Sequence, residues 1–406
     1  MTGRNRAKSR ALVWAGVLAL THVVSARAYG ADGNQLIGIG TIQKGTAGAG
    51  VASPQDSTWT LLNPASIIDL EKRLDFSLDF ITLKISAYPQ GSVLASNPFA
   101  GYQESYPFAL APSVGMILPL EHGTLGFGMF GVQGNLVHYE RPRSTLSVLE
   151  NSDRRAKVQV AKIPVSYAYQ FDNGLTVGAG LIGAVTLFQF DSLTLNLRPT
   201  DGDNKLDFNV GIGLNFGLYK RWDKVSVGAA YSTRIAVTDL DVYKDVIVWN
   251  LDIPQQFQAG IAVRPTQKLE LLADYKWIKW SEVRNFGRTT VMGGLGWEDQ
   301  HIYKLGFNYK ATDKWTFRGG YSYGESPIGD EFIFANILTP AFGKAHASLG
   351  VSRKIGEHGE LHFSYYHAFE EERTDNGRGD IFSILGRGSE ASYTENVFSV
   401  GYSYRF

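Results

Sequence analysis

From about residue 73 to the C-terminus the chain alternates between large apolar residues and small or charged ones. In 303–310, Tyr303, Leu305, Phe307 and Tyr309 alternate with Lys304, Gly306, Asn308 and Lys310. In 315–323, Trp315, Phe317, Tyr321 and Tyr323 alternate with Thr316, Arg318, Gly320 and Ser322. The last segment sets Phe398, Val400, Tyr402, Tyr404 and Phe406 against Ser399, Gly401, Ser403 and Arg405. A period of two sends successive side chains to opposite faces of a β-strand. Each segment therefore predicts a strand with one broad apolar face and one small or polar face.

A β-sandwich would turn the apolar face into a core, whereas a membrane barrel turns it into lipid and faces the polar side to a lumen. The connections favour the barrel. Short ones at 121–123, 172–174, 223–224, 265–268, 312–313 and 356–359 carry Gly, Asn, Asp or Pro, which suit tight turns. They alternate with long ones at roughly 88–108, 140–155, 191–206, 238–252, 281–300, 326–343 and 371–392. Six short turns and seven long loops predict fourteen strands, with short periplasmic turns and long outer loops. Aromatic residues gather near segment ends, as interface girdles require.

Composition sharpens this picture. Arg4, Arg6, Lys8 and Arg10 precede an apolar run from Ala11 to Val24 and the sequence Ala26-Arg27-Ala28. That order predicts a signal peptide over 1–28 and export of the chain. No cysteine is present, so no disulfide staples the exported protein. The formal charge of +0 argues against capture of nucleic acid. With 45 glycines, 13% aromatic residues and no later apolar run long enough for a transmembrane helix, the class is all-β, a transmembrane antiparallel β-barrel of about 14 strands. A large soluble periplasmic β-protein is the composition's other reading. The terminal Phe406 resembles the signal by which barrel assembly machinery recognises outer-membrane strands.

A barrel of this size leaves an open channel unless something fills it. The segment 29–70 is not needed for the wall of 71–406, and within it 34–65 carries Gly38, Gly40, Gly45, Gly48 and Gly50 among scattered apolar residues. It is neither a good helix nor a good strand, and it is predicted to be a small N-terminal hatch inside the lumen rather than a disordered extension.

With the hatch in view, the chain resembles the FadL family of outer-membrane transporters for long-chain fatty acids and other hydrophobic compounds. The likeness rests on Gly33-Asn34-Gln35-Leu36, the small-residue run 45–50, Asn63-Pro64-Ala65, and the stretch from Tyr303 through Trp315-Thr316-Phe317-Arg318 to Ser326-Pro327. The resemblance implies hatch gating, here by Asn63, Pro64, Ala65, Gly48 and Gly50. It also implies a kink in the third strand (124–139) that opens the wall for sideways exit, with Gly131 and Gly134 as its candidates. The same glycines equally suit close packing beside a plug. Residues 338–347 read LTPAFGKAHA, where fatty-acid members commonly carry an acidic and arginine-containing run. Transfer of the family's carboxylate-binding residues to this chain does not follow.

For a carboxylate ligand, Lys304 and Arg318 fall on the predicted lumenal face of adjacent strands and could form charge-assisted hydrogen bonds. A ladder with Glu270 and Asp274 explains both residues without a ligand and is the favoured reading. Loop flanks 188–197 and 242–251 are apolar enough for a surface capture groove, or they extend strands above the membrane. No catalytic, metal or cofactor site is expected. His362 and His367 have opposite strand parity, and His358 and His362 lie roughly 13 Å apart along a strand. The expected function is passive outer-membrane passage of a hydrophobic small molecule beside lipid and lipopolysaccharide. An aqueous diffusion porin and a surface adhesin are the alternatives.

Overall fold

The computed structural model describes residues 32–89, 103–139, 154–191, 205–243 and 250–406. The leader over 1–28 lies outside them, as do parts of the apolar loops 188–197 and 242–251. The wall begins with β1 (Arg73–Tyr88), β2 (Phe108–Leu120), β3 (Gly123–Tyr139), β4 (Arg154–Gln170) and β5 (Leu175–Asp191). It continues with β6 (Asp207–Arg221), β7 (Val225–Ser232), β8 (Gln256–Val263), β9 (Leu269–Ile278) and β10 (Gln300–Lys310). It ends with β11 (Trp315–Gly324), β12 (Ala345–Ile355), β13 (Gly359–Thr374) and β14 (Glu390–Arg405).

Each strand pairs antiparallel with the next, and β14 returns to β1 in unbroken register from Arg73↔Arg405 to Tyr88↔Glu390. The sheet is therefore a closed fourteen-stranded barrel, as the alternation predicts. The six short turns fall where the sequence puts them. Tyr303, Leu305, Phe307 and Tyr309 are exposed on the outside of β10, while Lys304 between them is 1% exposed. Phe398, Val400, Tyr402 and Tyr404 stand outward on β14 in the same way. At about 3.3 Å per residue, the 17-residue strands β3, β4 and β5 run about 55 Å, longer than a lipid-facing band needs even when tilted. They rise above it and carry the outer loops.

Residues 37–67 fill the barrel and are almost entirely buried. They form two short helical turns, α1 (Gly40–Lys44) and α2 (Trp59–Leu62), followed by a 3₁₀ turn at Ser66–Asp69. Trp59 is wholly buried and its indole N–H donates to the Gly50 carbonyl at 2.9 Å. The small residues on the inner wall now have a reason. A Cβ at Gly320 would come within 2.3 Å of Thr46, and one at Gly178 within 2.3 Å of the Ala65 nitrogen. The wall is small where the hatch presses on it.

Candidate functional site

Among the described residues the wall parts at one place. β2 and β3 pair from Leu120↔Gly123 up to Ser113↔Phe130 and no further. Beyond that point β2 stays with β1, and β3 continues alone on β4, with a register shift between Gly131 and Gln133. The edge of β3 released in this way is taken by the hatch. Leu36 N donates to the Val132 carbonyl and Gly134 N to the Asn34 carbonyl, both at 3.0 Å, and Gln35 bridges Gln133. Higher up, His138 N donates to Ser105 Oγ at 2.9 Å, so the window has an upper rim.

A cavity of about 360 Å³ occupies this place. Leu36 of the hatch and the lumen-facing Ile81, Ile85, Val158 and Val160 line its inner part. Leu110, Met129 and Ile163 also line it, yet these side chains belong to the outer face and are 46%, 41% and 41% exposed. The cavity thus passes through the wall. Pro340 and Ala341 of the loop after β11 also line it. That loop is fastened to β3, since Asn135 Nδ2 donates to the Leu338 carbonyl (2.9 Å) and Tyr139 Oη to the Ile337 carbonyl (3.2 Å).

The two cations nominated from the sequence both reach the lumen, and both are engaged with the hatch. Lys304 Nζ lies 2.8 Å from Asp32 Oδ2 and 2.7 Å from the Ile37 carbonyl. Lys276 Nζ meets the same Asp32 oxygen at 2.8 Å and Gln35 Oε1 at 2.9 Å. Burial opposes the charge on Asp32, but these two ammonium groups hold its carboxyl below the usual carboxylate range. Arg318 donates to Gln55 Oε1 and to Ser352 Oγ. Neither Lys304 nor Arg318 is among the residues lining the cavity.

The anticipated ladder with Glu270 and Asp274 is also replaced by hatch contacts. Asp274 accepts from the backbone N–H groups of Gly50 and Val51 at 2.8 and 2.9 Å. Glu270 pairs with Arg264 at 2.9 Å and accepts from Ser53. The periodicity that placed these residues on the lumenal face could not say that a plug would meet them there.

The Asn63-Pro64-Ala65 motif sits against β5, β6 and β7. Asn63 Nδ2 donates to the Val51 and Leu218 carbonyls at 3.0 and 3.2 Å, while its Oδ1 accepts from Ala65 N. Gly48 and Gly50 have φ of +78° and +124°, where a side chain is strained. Asp32, Lys276 and the fully buried Lys44–Asp79 pair (2.8 Å) escaped the sequence reading. Asp32 lies 244 and 272 residues from its two lysines, so no local signal could have joined them.

A sequence model described as "Outer membrane protein transport protein (OMPP1/FadL/TodX)" matches residues 21–406. The chain belongs to this family. Its members are outer-membrane transport proteins of the FadL/TodX type for hydrophobic compounds, and the barrel described here is of that type. Among solved structures, the toluene transporter TodX of Pseudomonas putida superposes with a TM-score of 0.72 at 18% identity, covering 91% of this chain and 99% of that one. A Pseudomonas aeruginosa FadL homologue gives 0.69 at 17% identity, over 92% and 100%. The toluene transporter TbuX of Ralstonia pickettii gives 0.65 at 20%, over 91% and 99%. No curated protein sequence matches the chain. At these identities the structures bear on the fold alone, and the FadL/TodX assignment comes from the family match.

Proposed function

We propose that this FadL/TodX member moves hydrophobic small molecules passively from the cell surface into the outer membrane by a sideways route through the window between β2 and β3. A single observation carries the reading: one cavity is lined both by lumen-facing Ile81 and Val160 and by lipid-facing Met129 and Ile163. An apolar solute in it touches the hatch at one end and the membrane at the other, without crossing the polar seam around the hatch. Lipopolysaccharide sugars obstruct apolar solutes at the outer leaflet, and such a conduit delivers them past that layer. In this reading Gly131 and Gly134 let β3 leave its neighbour, and the hatch, held through Asn63, Pro64, Ala65, Gly48 and Gly50, seals the axial path. Residues 1–28 are the removable leader, 29–70 the hatch and 71–406 the barrel. Assembly machinery would take the chain by its terminal aromatic strand. An open aqueous porin needs an unplugged lumen, whereas residues 37–67 fill this one.

The chain has no native cysteine, so a single engineered thiol is unique. Met129→Cys places a thiol at the membrane mouth of the window. Attaching a bulky hydrocarbon there should cut uptake of a labelled hydrophobic compound several-fold in cells lacking their own importer. The same label at Leu214→Cys, outward on β6, should leave uptake unchanged. Equal uptake with and without the label on Cys at position 129 would rule out sideways exit.

A further inference from the structure

A second cavity, of about 10 Å³, lies between the hatch and the wall and shares no lining residue with the window cavity. That is room for one water-sized occupant. Three neighbouring strands form its wall side. Ser77 of β1 is in register with Ser113 of β2 on one side and Gly401 of β14 on the other. Two residues along, Asp75 stands between Gly115 and Ser403. The two glycines admit the hatch. A Cβ at Gly401 would lie 2.7 Å from Thr41 Oγ1, and one at Gly115 would lie 2.5 Å from Ser57 Oγ. A Cβ at Gly40 would lie 3.7 Å from both Asp56 Oδ2 and Ser77 Oγ, so these two oxygens flank one point.

The polar groups gathered there are unmet. The hydroxyls of Thr41, Ser57, Ser77 and Ser113 are buried without a hydrogen-bond partner, and Thr41, Ser57 and Ser113 are 3%, 0% and 5% exposed. Asp56, also 5% exposed, accepts from the Thr58 N–H and hydroxyl through Oδ1. Among the described residues no ion pair reaches its carboxylate. The cations around it are engaged elsewhere. Arg73 is committed to Asp75, Lys44 to Asp79 and Arg405 to Glu360, while Arg318 donates to Gln55 and Ser352. His362 is occupied through both ring nitrogens, with Ser352 Oγ at 2.6 Å and Ser403 Oγ at 2.9 Å. A carboxylate shielded from water is costly without a counter-charge. A water molecule in the cavity would satisfy the hydroxyls and bring no charge.

We propose that this cavity binds a single sodium ion, held by the Asp56 carboxylate and the hydroxyl oxygens of Thr41, Ser57, Ser77 and Ser113. The donor set is all oxygen, as a hard cation requires, and one carboxylate without a counter-ion matches a single positive charge. The ion joins α1 and the Asp56–Ser57 turn to β1 and to Ser113, the last β2 residue paired with β3. It thereby ties the hatch to the lower corner of the window.

The test follows the assembled full-length barrel in detergent while sodium chloride replaces choline chloride at constant ionic strength. Protease cleavage within residues 32–70 should slow several-fold and saturably, and the sodium magnetic resonance should show a saturable bound component. Asp56→Asn should abolish both effects. Ser113→Ala, which keeps the charge, should raise the half-saturating sodium concentration several-fold, and it decides the matter if Asp56→Asn loosens the hatch by itself. Asp223→Asn on an exposed turn should leave that concentration unchanged. A native barrel indifferent to sodium would mean that the cavity holds water only, and would overturn the proposal. A saturable response that Ser113→Ala leaves unaltered would overturn it too, because the ion would then be bound elsewhere.

Discussion

Gly48 shows how tightly one residue binds the hatch to its own fold. Its φ is +78°, and a Cβ added there would lie 1.7 Å from the Ile37 carbonyl oxygen. That oxygen also accepts from Lys304, so it is not free to move aside. Gly50 offers a contrast, with φ of +124° but no neighbour nearer than Trp59 at 3.4 Å. Gly48→Ala therefore combines left-handed strain with a backbone clash and should cost more than ~2 kcal/mol of hatch stability, whereas Gly50→Ala meets only the strain. Limited proteolysis of the assembled barrel reads this directly. Cleavage within residues 32–70 should speed up markedly for Gly48→Ala and less for Gly50→Ala. Equal protection of both variants would show that the hatch tolerates a shifted Ile37 segment.

At the scale of the element, β3 joins the wall, the hatch and the outer loop, and half of that was legible in the sequence. Alternation of apolar and small residues marks 124–139 as a strand, and the structure begins it one residue earlier at Gly123. Gly131 and Gly134 stood out as glycines inside a strand, and the register shift falls between Gly131 and Gln133. What replaces the missing β2 partner was not legible. The Asn34–Leu36 segment that pairs there lies about a hundred residues away and has no alternation of its own. The borrowed pairing can be tested by removing its donor. Leu36→Pro abolishes the N–H that bonds to Val132, leaving a buried carbonyl unmet at a cost of about 1–3 kcal/mol, whereas Leu36→Ala keeps it. Leu36→Pro should sensitise cells to large antibiotics normally excluded by the outer membrane, and Leu36→Ala should not. Identical resistance in the two strains would mean that this pairing does not hold the hatch in place.

Across the whole molecule, the hatch is attached by polar contacts spread around the barrel. Asp32 meets β9 and β10, Asn63 meets β6, and Lys44 meets Asp79 on β1. The last is a buried ion pair whose two side chains are both fully shielded, with Ser399 also donating to Asp79. Such pairs often contribute little net stability, because desolvating two charges offsets most of their attraction, while loss of one partner strands the other. Lys44→Met alone should therefore loosen the hatch by about 3–5 kcal/mol, since Asp79 is left buried with a serine. Lys44→Met combined with Asp79→Leu removes both charges and should recover most of that loss. Antibiotic sensitivity and the temperature at which the barrel unfolds in detergent would be measured for native, single and double variants. Recovery in the double variant would mean that the pair sets where α1 docks against β1 without supplying the holding energy. If the double variant were as leaky as the single, the ion pair itself would be what keeps the lumen closed, and its opening would become the step that any gating ligand must drive.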